Sequence, residues 1–247
     1  MSLLEVGRLW AGYGQLEVVR DVDLTIEDGQ CVGLIGPNGH GKTTLLHAIT
    51  GLIRPWAGTV AFDGHDITNV PAYRRARLGL VHIPQGDLLF GDLSVQDNLL
   101  SAAQAEQWRR RAELLAEAFA LFPILDERRS QIASTLSGGQ RRMLAIARGL
   151  MMQARLVLVD EPSLGLAPRV VADVYEALRA LSTSGVSVLI VEENPQRLRG
   201  LVDETSLMEA GTIVKHGPFD EILKDEQLVR TYLGMGQPQP VGAAKAR

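Results

Sequence analysis

Residues 31–35, Cys-Val-Gly-Leu-Ile, run directly into Gly36-Pro37-Asn38-Gly39-His40-Gly41-Lys42-Thr43, and a helix-forming stretch follows over 42–50. A short apolar run, a glycine-rich loop and a lysine opening a helix make a strand–loop–helix unit. The glycine spacing is that of the P-loop, whose backbone N–H groups wrap phosphates while the lysine reaches the terminal ones. At average glycine usage the pattern alone would arise by accident in roughly one chain of this size in a hundred. The loop therefore needs support from the rest of the chain.

That support is organisational. Apolar runs at 80–83, 156–159 and 186–191 have the length of buried parallel strands, and helical stretches at 112–122, 139–152 and 169–182 separate them. Strand and helix alternating this way predict a doubly wound α/β core. Residues 4–6, 17–19, 23–26 and 58–63 are shorter and flanked by glycine or charge, so they read as antiparallel strands and hairpins beside the main sheet. Between residues 88 and 134 the pattern is almost wholly helical, with Ser94 as an N-cap and Pro123 as a breaker. Gly236-Gln237-Pro238-Gln239-Pro240 and the Ala/Lys/Arg end read as a disordered tail over 236–247. There is no internal repeat.

Composition narrows the function classes. A hydrophobic content of 46% suffices for a sizeable core. A net charge of −4 provides no global field for nucleic acid. The basic clusters Arg74-Arg75-Arg77 and Arg109-Arg110-Arg111 read as solvated helix faces. The single cysteine, Cys31, excludes an internal disulfide framework and is expected as a buried, inert thiol. No secretory signal is expected, and no run approaches the roughly 18 to 20 apolar residues that span a bilayer. A cytoplasmic chain that meets a membrane only through a partner is the expectation.

Two further motifs fix the chemistry. Leu156-Val157-Leu158-Val159-Asp160-Glu161 ends an apolar strand in two carboxylates at the carboxyl edge of the sheet, beside the P-loop. There Asp160 would hold Mg²⁺ through water, and Glu161 would polarise an attacking water. Between them and the P-loop lies Leu136-Ser137-Gly138-Gly139-Gln140. With these three motifs in this order, the chain resembles the ATP-binding subunits of ABC transporters over about residues 4–235. The resemblance implies one ATP-binding domain, residues 1–235. It would have a P-loop NTPase parallel-sheet core, an antiparallel β subdomain, and a helical subdomain (about 88–150) carrying the LSGGQ signature and docking a transmembrane partner.

The resemblance also implies roles for residues. ATP and Mg²⁺ are the expected cofactors. Asn38, Gly39, Gly41, Lys42, Thr43 and Thr44 would hold the phosphates, with Thr43 also ligating Mg²⁺ and Thr44 bonding the α-phosphate. Gln85, in Ile83-Pro84-Gln85-Gly86, matches the glutamine that senses the Mg²⁺/water site, and Tyr13 matches the aromatic that stacks on adenine. Ser137, Gly138, Gly139 and Gln140 would complete the ATP site of an opposing subunit, two subunits pairing head to tail. Partners implied are a second ATP-binding subunit, transmembrane permease subunits and, indirectly, a solute-binding protein.

Three positions depart from the family pattern. His40 stands where relatives carry a small residue, and it would either face the opposing signature or turn to solvent. Glu193, in Val191-Glu192-Glu193-Asn194, falls where a histidine usually contacts the γ-phosphate. A carboxylate there repels that phosphate unless it is protonated, turned away or paired with a partner's arginine. Ala167 replaces the usual aspartate of the loop after Glu161. Ser163-Leu164-Gly165-Leu166-Ala167-Pro168, the Tyr13-Gly14 start, the 191–194 switch and the Tyr232-Leu233-Gly234 ending resemble the second ATP-binding subunit of branched-chain amino-acid importers, shared with relatives for urea and amides. A heterodimer is implied, and a homodimer stays open for the chain in isolation. Two alternatives stay open: a regulatory subunit that binds ATP with little hydrolysis, and a soluble ABC protein of repair or translation.

Overall fold

The computed structural model describes residues 2–86, 88–103 and 105–224, with the side chains of 105–107 left aside. The expected tail and the 232–234 ending lie outside the described residues. Two long strands open the chain, β1 (Ser2–Tyr13) and β2 (Leu16–Glu27), followed by β3 (Cys31–Ile35) and helix α1 (Lys42–Thr50). Next come β4 (Ala57–Phe62), β5 (His65–Asp66), α2 (Ala72–Arg77) and β6 (Leu80–Ile83). Helices α3 (Val95–Ala102), α4 (Arg111–Leu121), α5 (Pro123–Asp126) and α6 (Gly138–Met151) lead to β7 (Leu156–Asp160). Helix α7 (Pro168–Thr183), β8 (Ser187–Glu192), β9 (Glu204–Glu209), β10 (Thr212–Pro218) and α8 (Phe219–Lys224) complete the described chain.

The strands form two sheets, β2-β1-β4-β5 and β10-β9-β3-β8-β7-β6. In the larger, β9, β3, β8, β7 and β6 run parallel, and β10 closes the edge as an antiparallel hairpin arm. Alternation along these fully buried strands splits the core into two layers. Val32 and Leu34 of β3, Leu156 and Leu158 of β7, and Leu189 and Val191 of β8 pack with α1 and the antiparallel sheet. Cys31, Ile35, Val157, Val159, Val188 and Ile190 face the opposite way, onto the helical layer. Cys31 is buried and free, its thiol pushed up to about 12 by that burial, as expected of an inert packing residue.

The N-terminal strands are longer than expected. Residues 4–6, 17–19 and 23–26 read as separate pieces, yet they belong to two continuous twelve-residue strands. Register shifts between Val6 and Leu9 and again after Leu9 interrupt the period-two pattern on which the shorter reading rests. The helical region is as expected at Ser94, whose hydroxyl accepts from the Asp97 amide. Pro123 separates two helices by opening the second one, where a missing N–H costs nothing. Buried Asn98 ties the preceding loop down, donating to the Phe90 and Ser94 carbonyls and accepting from the Phe90 amide.

One solvated-face expectation is overturned. Arg75 is 1% exposed. Its guanidinium donates to the carbonyls of Ala48, Ile49, Thr68 and Val70, so it closes the C-terminal end of α1, which begins with the P-loop lysine. A planar fork of five donors suits four carbonyls converging from two segments. Arg75→Ala should lower unfolding free energy by about 3 kcal/mol, since several buried carbonyls lose a charged donor. Arg75→Lys should recover little of it. Urea midpoints measure both, and a loss under about 1 kcal/mol would mean that the carbonyls find other partners.

Candidate functional site

Strand register sets the site. Ile35 of β3 pairs with Glu192 of β8, and Val191 of β8 pairs with Asp160 of β7, so the three parallel strands end at one level. The P-loop, the Asp160-Glu161 pair and the Glu192-Glu193 pair therefore emerge together at the carboxyl edge. Gly36 starts the loop because nothing larger fits: a Cβ there would lie 2.2 Å from the Met208 carbonyl oxygen.

The loop closes on its own lysine. Lys42 is 4% exposed and donates to the Gly36 carbonyl at 2.7 Å and the Pro37 carbonyl at 2.9 Å. Burial lowers its pKa, while Glu161, Glu193, Asp160 and Glu192 oppose that drop. Glu161 Oε1 lies 3.9 Å away. Thr43 donates its hydroxyl to Asp160 Oδ2 at 2.7 Å. The other oxygen, Asp160 Oδ1, is buried without a hydrogen-bond partner among the described residues. Burial is also the main cause raising the carboxyl pKa of both Asp160 and Glu161.

A cavity of about 340 Å³ is lined by Asn38, Gly39, Gly41, Lys42, Thr43, Thr44, Gln85 and Glu161, with Val18 and Leu164 at its walls. Eight sequence-predicted positions thus meet around one space. Tyr13 does not line it. It ends β1, half-exposed, with its hydroxyl 3.0 Å from Nδ1 of His47 on α1. Gln85 is held from the other side, because buried Arg142 of α6 donates to the Pro84 and Gly86 carbonyls that flank it.

Ser137, Gly138, Gly139 and Gln140 stand apart from this cavity. Ser137 caps α6 by accepting from the Gln140 amide, and the Gln140 side chain accepts from the Ser137 amide in return, a reciprocal capping box. Ser137, Gly139 and Gln140 border a separate cleft of about 500 Å³ between α6 and α7. Gly139 permits that packing: a Cβ there would lie 2.0 Å from Cγ1 of Val170.

The three departures resolve as follows. His40 is half-buried and bonded within its own chain. Its Nδ1 accepts from the Ala210 amide at 3.1 Å, and its carbonyl accepts from Gly211 at 3.1 Å, tying the P-loop to the β9–β10 turn. Glu193 accepts from the Asn38 side-chain amide at 3.0 Å, so the exposed carboxylate is clipped across the loop. Ala167 is the N-cap of α7 without a side-chain cap bond, and Pro168 at the first helical position supports the helix start instead. Sequence reasoning missed the burial of Glu192, enclosed by Ser163, Tyr175 and Arg197. Its signal was available as a carboxylate continuing an unbroken apolar strand.

The family model described as ABC transporter matches residues 19–164. The chain belongs to the ABC transporter ATP-binding family. It is 41% identical over 224 residues to an ABC transporter ATP-binding protein of Azorhizobium caulinodans, covering 90% of this chain and 79% of that one. It is 37% identical over 240 residues to the lipopolysaccharide export system ATP-binding protein LptB of Escherichia coli K12, covering 95% and 98%. Among solved structures it resembles the ADP conformation of MJ1267, an ATP-binding cassette of an ABC transporter. The TM-score is 0.83 at 26% identity, over 96% of this chain and 100% of that one. As an ABC ATPase the chain binds ATP and works with transmembrane permease components. Among the described residues no helix is long and apolar enough to cross a membrane.

The raised carboxyl of Glu161 has a stability consequence. A folded-state pKa above the unfolded one means the folded protein takes up the proton first, so stability increases as pH falls through that window above the ordinary carboxylate range. Glu161→Gln should therefore raise Tm at pH 8. The gain should shrink as pH is lowered and the native carboxyl takes up its proton. Thermal melts from pH 8 downwards check it, and a gain independent of pH would place the cause elsewhere.

Proposed function

We propose that this ABC ATPase hydrolyses ATP at its own P-loop with Glu161 as the base, and so energises an importer for branched-chain or similar amino acids. The observation that carries the catalytic half is the convergence of Lys42, Thr43 and Glu161 on one cavity beside a glycine-rich loop, with Asp160 buried behind Thr43 and bonded to it. The P-loop amides around Asn38, Gly39, Gly41, Lys42, Thr43 and Thr44 would take the phosphates at the start of α1. Lys42, parked on two loop carbonyls, would turn to the β/γ-phosphates. Tyr13 would stack on adenine.

The donor set fits Mg²⁺. Asp160 Oδ1 is buried and unpartnered beside the Thr43 hydroxyl, as expected of an oxygen-ligand site for a hard cation. Thr43, Asp160 and Gln85 would hold the ion directly or through water, and when bound it supplies charge neutralisation to the phosphates. Glu161 accepts the proton of the attacking water as that oxygen bonds to the γ-phosphorus and the bond to the β–γ bridging oxygen breaks, leaving ADP and phosphate. Burial, by raising the carboxyl pKa, makes it a stronger base.

Ser137, Gly138, Gly139 and Gln140 would complete the site of a second ATP-binding subunit, a different chain in the transporter. Closure of the pair would drive the permease from the cytoplasmic face. The amino-acid reading is supported by residues 163–168 and 191–194. A second reading has its own support: the 37% likeness to LptB favours export of a large amphiphile. In the complex with its native permease partners, ATP turnover should rise with a leucine-loaded binding protein and fall at least about a hundredfold in Glu161→Gln. Stimulation by lipopolysaccharide instead would move the chain to export, and turnover surviving the mutation would place hydrolysis in the partner's site.

Glu193 bears on the regulatory reading. Its carboxylate is clipped to Asn38, which lines the phosphate cavity. Glu193→Gln should tighten ATP binding by about fivefold, since a like-charge contact in a watery cleft is worth about 1 kcal/mol. Titration of a fluorescent ATP analogue checks this, and unchanged affinity would remove Glu193 as a brake on the site.

A further inference from the structure

Glu192 ends β8 with its side chain 1% exposed, a position in which an unpaired carboxylate is untenable. Three segments supply its partners. Ser163, in the turn after Glu161, donates its hydroxyl to Oε1 at 2.7 Å. The Tyr175 hydroxyl of α7 donates to the same oxygen. Arg197, in the turn after β8, lies 3.3 Å from Oε2 and donates also to the Ser163 oxygen. Each group binds at least one other in the set, so the cluster is a closed unit.

What the cluster grips is the turn that leaves Glu161. That residue has φ +43°, the left-handed region that a non-glycine residue occupies at a cost and only where its surroundings enforce it. Its own amide donates to the Val191 carbonyl at 3.0 Å, which fixes the entry to the turn. Ser163, two residues on, is the side chain that fixes the exit, and Glu192 is what it is fixed to. The same Glu192 is joined through its peptide bond to Glu193, which is clipped to Asn38 of the P-loop.

We propose that Glu192 is a positioning residue for hydrolysis: through Ser163 it holds the turn that presents Glu161 to the γ-phosphate and couples that turn to the Glu193 segment. A purely stabilising ion pair would need only Arg197. Two hydroxyl groups directed at one carboxylate oxygen, one of them from the turn of the base, add orientation. The inference rests on the reading of Glu161 as base.

The test uses the complex with its native permease partners, this chain carrying Ser163→Ala, Tyr175→Phe or Glu192→Gln, with Glu161→Gln as reference. Three quantities are measured: affinity for a fluorescent ATP analogue, turnover at saturating ATP, and amide exchange over 161–166 against 36–44. Ser163→Ala and Tyr175→Phe should keep ATP affinity within about twofold while turnover falls roughly tenfold, the scale of a misplaced reacting group. Exchange over 161–166 should quicken while the P-loop stays as protected as before. Ser163→Ala should add little on top of Glu192→Gln, because residues of one unit are not additive. If Glu192→Gln does not fold, the two hydroxyl variants carry the test. Wild-type turnover and exchange in both, with Glu161→Gln inactive, would overturn the positioning role alone. Turnover surviving Glu161→Gln would overturn the base assignment, and this inference with it.

Discussion

Three parallel strands, β3, β8 and β7, stop at a common level, and the pairing Ile35–Glu192 and Val191–Asp160 makes them do so. Nearly everything chemical in the molecule hangs from that edge. A shift of the β3–β8 pairing by one residue would turn Val32 and Leu34 towards the helical layer and Ile35 towards α1, exchanging the two core layers. Burial on both faces therefore locks the register, and the register places the P-loop opposite both carboxylate pairs. The ordered site follows from the packing of aliphatic side chains that never touch a ligand.

Electrostatics at that edge are unbalanced by design of the sequence. Lys42 is the cation of the cavity, while Asp160, Glu161, Glu192 and Glu193 all act on it. Glu192 is neutralised separately by Arg197 and two hydroxyls, and Glu193 leans on Asn38. Asp160 and Glu161 remain, both with carboxyls raised by burial. A polyphosphate entering such a site brings further negative charge, which one lysine and the helix start cannot offset alone. In the proposed site the buried Asp160 Oδ1 beside Thr43 would give a divalent counter-ion one of its oxygen ligands.

Much of this was legible in the sequence, for reasons that differ by residue. Residues 31–35, 42–50 and 80–83 coincide with β3, α1 and β6, because buried parallel strands and a capped helix carry their signals locally. The bulged strands β1 and β2 were read as fragments, since register shifts break the local pattern while the ladder continues. Arg75 and His40 were not legible at all, and Glu192 showed only as a carboxylate continuing an apolar strand, with no sign of its partners. Each is defined by partners far along the chain: Arg75 by carbonyls at 48 and 49, His40 by amides at 210 and 211, Glu192 by hydroxyls at 163 and 175. A charge run looks solvated and a loop histidine looks free until the fold supplies those partners. Tyr13 is intermediate. Its motif is local, but its tie to His47 depends on the antiparallel sheet lying over α1.

The position of the LSGGQ segment argues for pairing more directly than its motif does. A helix start rich in glycine offers unpaired backbone N–H groups that favour anions. In α6 the side chains of Ser137 and Gln140 are spent on each other in the capping box, so the anion-favouring feature that remains is backbone at Gly138 and Gly139. Gly139 borders a cleft other than the one containing Lys42. One chain therefore carries a complete cradle for phosphates and a second anion-favouring end directed elsewhere. A two-fold or pseudo-two-fold pair uses both features of each member once and leaves none idle. In the proposed pair, turnover at one cavity would depend on a backbone that the other chain provides, and the approach of the two chains, rather than the affinity of either for ATP, would be the step that a transporter controls.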